Sequence, residues 1–221
     1  MLKKVPSVRV VLPRLLILAG LILCGSVLRA APVIIYSNFA SNDGYSIGTG
    51  LLVTDNSFDY SVAVGFVPLH DYTLSSIDFV ATRQSLDSPD SVTMSIFADT
   101  AGFPGGPALE SDTLIGQTVQ FGSNAPVLTV SSALDPILHA NTRYWVEMDG
   151  PLGSLIWNQN TTLASGLAET DGQGSWFSSN FTQGVVRING EEIAPAPEPA
   201  SWLLMAGGLA GIGQYLRSRT A

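Results

Sequence analysis

Short runs in which apolar and polar residues alternate make up most of the chain after residue 30. Alternation places successive side chains on opposite faces of a strand, so each run predicts a strand with one buried face. Gly, Pro, Asn, Asp and Ser separate the runs, as is typical of antiparallel turns. Ten strands are predicted, over residues 33–39, 60–67, 74–82, 91–98, 113–120, 127–131, 143–149, 154–158, 175–178 and 184–189.

Four of these runs identify the side that should face a core. Their inward residues are Val62, Val64 and Phe66; Ile77, Phe79 and Ala81; Val92, Met94 and Ile96; and Tyr144, Val146 and Met148. No segment of this region repeats apolar residues at helical spacing over three turns. We therefore expect an all-β domain over residues 31–190, an antiparallel β-sandwich of jelly-roll type, with a barrel as the alternative.

The first thirty residues differ from this body. A basic stretch over residues 1–14 precedes an apolar stretch over residues 15–28, and Ala30 and Ala31 follow. This order predicts a secretory signal peptide over residues 1–30, with an uncleaved membrane anchor as the alternative. The only cysteine of the chain, Cys24, lies in the apolar stretch, so the body has no disulfide.

The last residues form a second apolar segment. Residues 201–216 carry no charge, Trp202 and Tyr215 stand near the two edges, and Arg217 and Arg219 follow. Aromatic rings favour the membrane interface and arginines favour the cytoplasmic side, so residues 201–221 are predicted to hold a short membrane helix with the body outside. The segment is shorter than the roughly 20 residues of a typical span.

A Pro- and Ala-rich linker over residues 191–200 precedes this segment and contains Pro197, Glu198 and Pro199. This motif, followed by the apolar segment and the arginines, resembles the PEP-CTERM sorting signal of exported bacterial proteins. The resemblance implies an exosortase, a membrane cysteine transpeptidase, as partner, and removal of the tail near the motif. It also implies a Gram-negative host, an inner-membrane intermediate and a final place at the cell surface or in the extracellular matrix. A plain membrane anchor is the alternative.

The body is similar to the choice-of-anchor R domain, a β-rich exported module. The stretches that carry this resemblance include "SVTMSIFADTAGFPGGPALES" and "NTRYWVEMDG". It implies an extracytoplasmic module without supplying an activity. With the sorting signal, it leads us to expect a non-enzymatic protein with a structural or adhesive role in the envelope or exopolysaccharide.

Charge is unevenly distributed along the chain. All 18 carboxylates lie from Asp43 to Glu198, where the basic residues are only Arg83, Arg143 and Arg187, so this region carries 3 − 18 = −15 and no lysine. Such a surface repels nucleic acid and attracts cations. The body is therefore not expected to bind nucleic acid.

Loop carboxylates suggest one candidate cation site. Asp55 and Asp59 lie in "TDNSFD", and Asp87 and Asp90 lie in "DSPD". Calcium prefers several carboxylate and carbonyl oxygens together, so a structural calcium is one interpretation, although the spacing is not that of an EF-hand. Solvated turns are the other interpretation, and no other cofactor is predicted.

Three tryptophans of the body are candidates for a sugar platform. Trp145 alternates with Tyr144 and Val146, so it should point away from the core, and Trp157 and Trp176 are the other two. An exposed indole ring can stack on a sugar ring, which would make the domain a carbohydrate-binding module and extracellular polysaccharide its partner. The alternative is that these rings are core residues.

No catalytic residues are predicted. Gly44, Ser46 and Gly48 match the spacing of a nucleophile elbow, but the following sequence is strand-like, whereas that elbow needs a helix. A glycan hydrolase remains an alternative function. It would require two carboxylates roughly 5–10 Å apart across a cleft.

Overall fold

The computed structural model describes residues 31–53, 60–87, 90–150, 155–170 and 175–193. Over these residues the chain is all-β, as the alternation predicts, with fifteen strands and one 3-10 turn at Ser41–Asp43. The strands are β1 Val33–Ser37, β2 Gly50–Leu52, β3 Val62–Phe66, β4 Tyr72–Phe79, β5 Ala81–Arg83, β6 Ser91–Thr100, β7 Phe103–Ile115, β8 Val119–Gln120, β9 Leu128–Ser131, β10 Ile137–Leu138, β11 Tyr144–Asp149, β12 Leu155–Asn158, β13 Ser165–Thr170, β14 Trp176–Thr182 and β15 Val186–Glu192.

These strands form three sheets. The six-stranded sheet has the order β14-β13-β3-β11-β6-β7, and the four-stranded sheet has the order β2-β12-β5-β8. The five-stranded sheet has the order β1-β15-β4-β10, with β9 also paired to β4. All pairings are antiparallel except that of β5 with β8. Strands β7 and β14 are therefore the two edges of the six-stranded sheet.

One main core joins the three sheets. All twelve residues that the alternation assigns to the inward side belong to it, which confirms those face assignments. The six-stranded sheet contributes Val64 and Val146, the five-stranded sheet contributes Phe79, and the four-stranded sheet contributes Trp157, each without exposed surface. Because apolar area removed from water is the main favourable term in folding, this shared core holds the sheets together.

Several strands lack a clear alternating pattern and are not among the ten predicted. They are β2, β10, β13 and the first half of β7. The β13 sequence SGLAET has few apolar residues, yet β13 pairs with both β3 and β14. In β7 the "FPGGP" sequence reads locally as a turn, but it pairs with the end of β6 at Ala98, Asp99 and Thr100. Neighbouring strands, rather than local propensity, fix these segments.

The outer side of the five-stranded sheet carries a polar network around Asp78. Its carboxylate accepts hydrogen bonds from Thr129 Oγ1 at 2.7 Å, from Arg187 Nε at 2.8 Å and from Asn189 Nδ2 at 2.9 Å. Arg187 also donates from Nη1 to Asp43 at 2.6 Å. The Asp78 side chain is only 9% exposed, so these donors replace the water that its charge would otherwise need.

Both predicted terminal segments lie outside the described residues. They are the signal peptide over residues 1–30 and the apolar segment over residues 201–221, and most of the linker over residues 191–200 lies outside as well. In the part of the chain that the structure does describe, no helix combines the length and apolarity needed to cross a bilayer.

Candidate functional site

Trp157 is a core residue. Its side chain has no exposed surface, and its indole Nε1 donates to the Val185 carbonyl oxygen at 2.9 Å. The ring packs directly on Gly184, where a Cβ would have no room. A sugar needs an exposed ring face, so the prediction of a platform at Trp157 is wrong, and the alternative interpretation, a core ring, describes this residue.

Trp145 lies on the outer face of the six-stranded sheet, as the alternation predicts, but it is covered there. It belongs to a second apolar cluster with Ala63 and Ala168, separate from the main core, and is only 7% exposed. Phe97 of β6 and Phe103 of β7 pack against this cluster. The sequence pattern gives the direction of the side chain correctly, whereas the cover comes from the β6–β7 hairpin.

Two local contacts fix the Trp145 ring. Its Nε1 donates to Asp99 Oδ1 at 2.8 Å, and Asp99 Oδ2 accepts from the Gly102 backbone. Gly65 is the direct cross-strand partner of Trp145, and a Cβ on it would lie 3.2 Å from ring atom Cζ3. Glycine at this position therefore lets the ring lie close against β3.

A groove of about 580 Å³ opens beside this ring. Its lining includes Gly65 of β3, Trp145 of β11 and Arg143 just before β11. Residues of β13 and β14 complete it. The polar side chains of the lining that form no hydrogen bond with another described residue are those of Arg143, Ser165, Ser178 and Asn180. The groove thus combines one aromatic edge with exposed donors and acceptors, which is the composition that hydrogen-bonding ligands require.

Gln183 and Tyr36 form a fixed wall of the groove. The Gln183 side chain accepts from Tyr36 Oη at 2.8 Å and from Asn38 Nδ2 at 3.2 Å, and donates to the Gly166 carbonyl at 2.8 Å. Burial raises the pKa of the Tyr36 hydroxyl, and the hydrogen bond to Gln183 opposes this rise. Because their polar atoms are satisfied within the protein, these two residues shape the groove rather than offer groups to a ligand.

Arg143 is the charged group of the groove. Its guanidinium carbon lies 5.9 Å from the centre of the Trp145 ring, within the range of a cation–π contact. The other two arginines of the body are paired, Arg83 with Asp90 and Arg187 with Asp78 and Asp43. Over the ranges that the structure describes, Arg143 forms no ion pair. The sequence contained a signal for this site, since Arg143 is one of only three basic residues in the body.

Trp176, at the start of the edge strand β14, packs partly buried against the Trp145 cluster. The structure therefore brings Trp145 and Trp176 together and separates both from Trp157. Trp176 is not part of the groove lining. Of the three predicted tryptophans, only Trp145 reaches the groove.

Two of the four aspartates predicted for a calcium site, Asp87 and Asp90, lie among the described residues. Asp55 and Asp59 lie outside them. Asp90 Oδ1 accepts from the Thr118 backbone at 3.0 Å and from its hydroxyl at 2.5 Å, and Oδ2 lies 3.6 Å from Arg83 Nη2. No group of three or more His, Cys, Asp or Glu side chains placed to hold a metal is present within the described ranges. The calcium site stays a prediction.

The described part of the chain is thus an all-β domain with a groove beside Trp145 that is lined by residues of two sheets. Comparison with protein-family models gave no match, and a search of curated proteins gave no significant match. The sorting motif Pro197, Glu198 and Pro199 and the residues of the predicted anchor, Trp202, Tyr215, Arg217 and Arg219, lie outside the described residues. The two family resemblances therefore stay predictions from the sequence.

Proposed function

We propose that this chain is an exported, non-enzymatic β-sandwich protein that is sorted by its C-terminal segment to the envelope or extracellular polysaccharide of a Gram-negative bacterium. The sorting step rests on the order of Pro197-Glu198-Pro199, the apolar segment and the arginines. We further propose a jelly-roll-like arrangement of the sheets. The supporting observation is that the inward residues of the six-stranded and five-stranded sheets share one core.

Sorting is tested by intact-mass measurement on the exported protein. We expect a mass that lacks residues 1–30 and the tail beyond the Pro-Glu-Pro motif, with an exosortase-type transpeptidase as the processing partner. Glu198→Gln changes only the charge of the motif and should leave an unprocessed tail in the membrane fraction. Glu192→Gln, six residues earlier, is the matched control. Finding the complete C-terminus on the exported chain would contradict the proposal.

The role we propose for the exported domain is adhesive, by contact with polysaccharide at the groove. One observation carries this proposal: Arg143, which has no ion pair among the described residues, lies beside the Trp145 ring in a groove that also exposes Ser178 and Asn180. Hydroxyl-rich ligands satisfy such donors and acceptors.

Retention on immobilised polysaccharides tests this role with the purified full-length chain. We expect retention on at least one extracellular polysaccharide and a loss of about tenfold or more in affinity with Arg143→Gln, because charged hydrogen bonds contribute about 1.5–3 kcal/mol. Asn180→Ala should weaken binding by a smaller factor. Gln117→Ala, an exposed polar residue outside the groove, should bind as the wild type does. Equal retention of Arg143→Gln and the wild type would refute the groove as the contact site.

A further inference from the structure

A second cavity, of about 400 Å³, lies at the end of the six-stranded sheet near its edge strand β14. It shares no lining residue with the groove. Its walls are largely apolar and include Leu51, Leu52, Val62 and Phe181. A volume of this size matches the roughly 300–1,000 Å³ of small-molecule sites.

Glu169 is the acidic residue in the lining of this largely apolar cavity. It lies directly opposite Val62, a core residue of β3, and two residues from the core residue Leu167. Side chains two apart on a strand share a face, so Glu169 lies on the core-facing side of β13. An acidic residue at such a position breaks the alternation of a strand whose inward neighbours are apolar.

The described part of the chain supplies no counter-charge to this carboxylate. Among the described residues, none donates a hydrogen bond or forms an ion pair with the Glu169 carboxylate. Burial raises the pKa of Glu169, and no other cause opposes it. A partly buried carboxylate with no partner among the described residues is typical of a site that meets its partner from outside the chain.

We propose that this cavity binds a small organic cation, with an ammonium group at Glu169 and an apolar body against Leu51, Val62 and Phe181. The carboxylate supplies the counter-charge, and the aromatic faces of Tyr60 and Phe181 at the cavity wall favour a cation near them. The net charge of −15 over residues 31–200 also raises the local concentration of cations.

The cavity is not expected to select anions or neutral molecules. The Glu169 carboxylate would repel the carboxylate of an anionic ligand. A neutral alcohol of the same shape would leave the charge of Glu169 without a counter-charge. The entrance is partly lined by exposed apolar surface, since Phe181 is 62% and Leu52 is 40% exposed. An apolar body can therefore enter without displacing the core.

Isothermal titration calorimetry on the purified full-length chain tests the proposal with benzylammonium as the probe. Benzyl alcohol and benzoate are the neutral and anionic comparisons of similar shape. Glu169→Gln removes the charge with little change of shape, and Asp112→Asn removes one carboxylate from β7, the opposite edge of the same sheet. Phe181→Ala shortens the apolar wall at an exposed position and should not disturb folding.

We expect benzylammonium to bind with one site per chain and to raise the melting temperature. Glu169→Gln should weaken it by about tenfold or more, the value of a single charge-assisted contact, and Phe181→Ala by a smaller factor. Asp112→Asn should bind as the wild type does. Equal binding of benzyl alcohol, equal binding by Glu169→Gln, or no binding of benzylammonium to the wild type would each overturn the proposal.

These outcomes are independent of the proposed adhesive role. Polysaccharide retention depends on Arg143 and Asn180, whereas binding of the cation depends on Glu169 and Phe181. Arg143→Gln should therefore lose the polysaccharide and keep benzylammonium. Glu169→Gln should show the reverse.

Discussion

Replacing Gly184 by alanine tests whether Trp157 is a fixed element of the core. A Cβ at position 184 would lie within 2.5 Å of ring atoms Cγ, Cδ2 and Cε2 of Trp157. Carbon atoms pack at about 3.5–4.0 Å, so the ring would have to move by at least about 1 Å. The ring has no exposed surface, and its Nε1 hydrogen bond to Val185 also opposes the movement.

The magnitude follows from these contacts. Overpacking a core costs about 1–3 kcal/mol, and loss of the buried indole hydrogen bond adds about 1–3 kcal/mol. We therefore expect Gly184→Ala to lower the free energy of unfolding by about 2–5 kcal/mol. For a domain of this size, that corresponds to a fall in Tm of roughly 5–15 °C.

Thermal and urea unfolding, followed by tryptophan fluorescence and near-ultraviolet circular dichroism, measure this change. Gly48→Ala is the matched control, because a Cβ there meets nothing within 4 Å. In a double-mutant cycle, Trp157→Leu should reduce the cost of Gly184→Ala by at least about 1 kcal/mol, since the clashing ring is gone. A Gly184→Ala protein as stable as Gly48→Ala, or additive effects in the cycle, would refute the reasoning.

Three further substitutions test the charges and contacts described above. Burial raises the pKa of Glu169, so the ionised form of this residue destabilises the fold. The wild type should therefore lose stability as the pH rises through that pKa. Glu169→Gln should melt at a higher temperature than the wild type at neutral pH, and the two should melt alike at a pH below 4.5, the ordinary pKa of a glutamate. Equal melting curves of the two proteins at all pH values in calorimetry would contradict this. Asp78→Ala removes three accepted hydrogen bonds while Arg187 keeps Asp43, and should cost about 2–4 kcal/mol in urea unfolding; a cost under about 0.5 kcal/mol would show that the network is not stabilising. Trp145→Phe keeps an aromatic ring but loses the hydrogen bond to Asp99, and should lower the free energy of unfolding by about 1–2 kcal/mol. An unchanged free energy of unfolding would contradict this expectation.

The groove and the Glu169 cavity differ in what they offer a ligand. The groove exposes the guanidinium of Arg143 with neutral polar side chains, and its wall is held by internal hydrogen bonds of Gln183. The cavity offers a single carboxylate among apolar walls. The first arrangement suits a long hydroxylated ligand, and the second suits a small cation. The same β domain can therefore carry two sites that suit different kinds of ligand.

The surroundings predicted from the sequence differ most from those in the structure for the tryptophans. Alternation correctly directs Trp145 away from the main core, but no pattern in the sequence shows that Phe97 and Phe103 will cover it. Trp157 lies in the short strand β12, LIWN, in which all four residues are buried, so alternation assigns it no outer face. Burial on both faces is a property of the surrounding sheets and is absent from the local sequence.

Glu169 illustrates the same limit for the candidate sites. Its strand β13 was not predicted, because SGLAET has too few apolar residues to show a period of two. Only the pairing of Glu169 with Val62 on one side and Phe177 on the other places the carboxylate on the core-facing side. Arg143, by contrast, could be found by counting, since arginines are rare in this body. That it has no ion-pair partner among the described residues could be learned only from the structure.

The sequence by itself determined the all-β class and the inward faces of four strands, because a strand period of two is a local property of consecutive residues. It also determined the strong charge of the body, which is a matter of composition. The tertiary structure decided which aromatic rings are covered, which carboxylates have partners, and where the two cavities lie. These depend on contacts between strands far apart in the chain, as in the pairing of β15 with β4, and such contacts leave no local pattern.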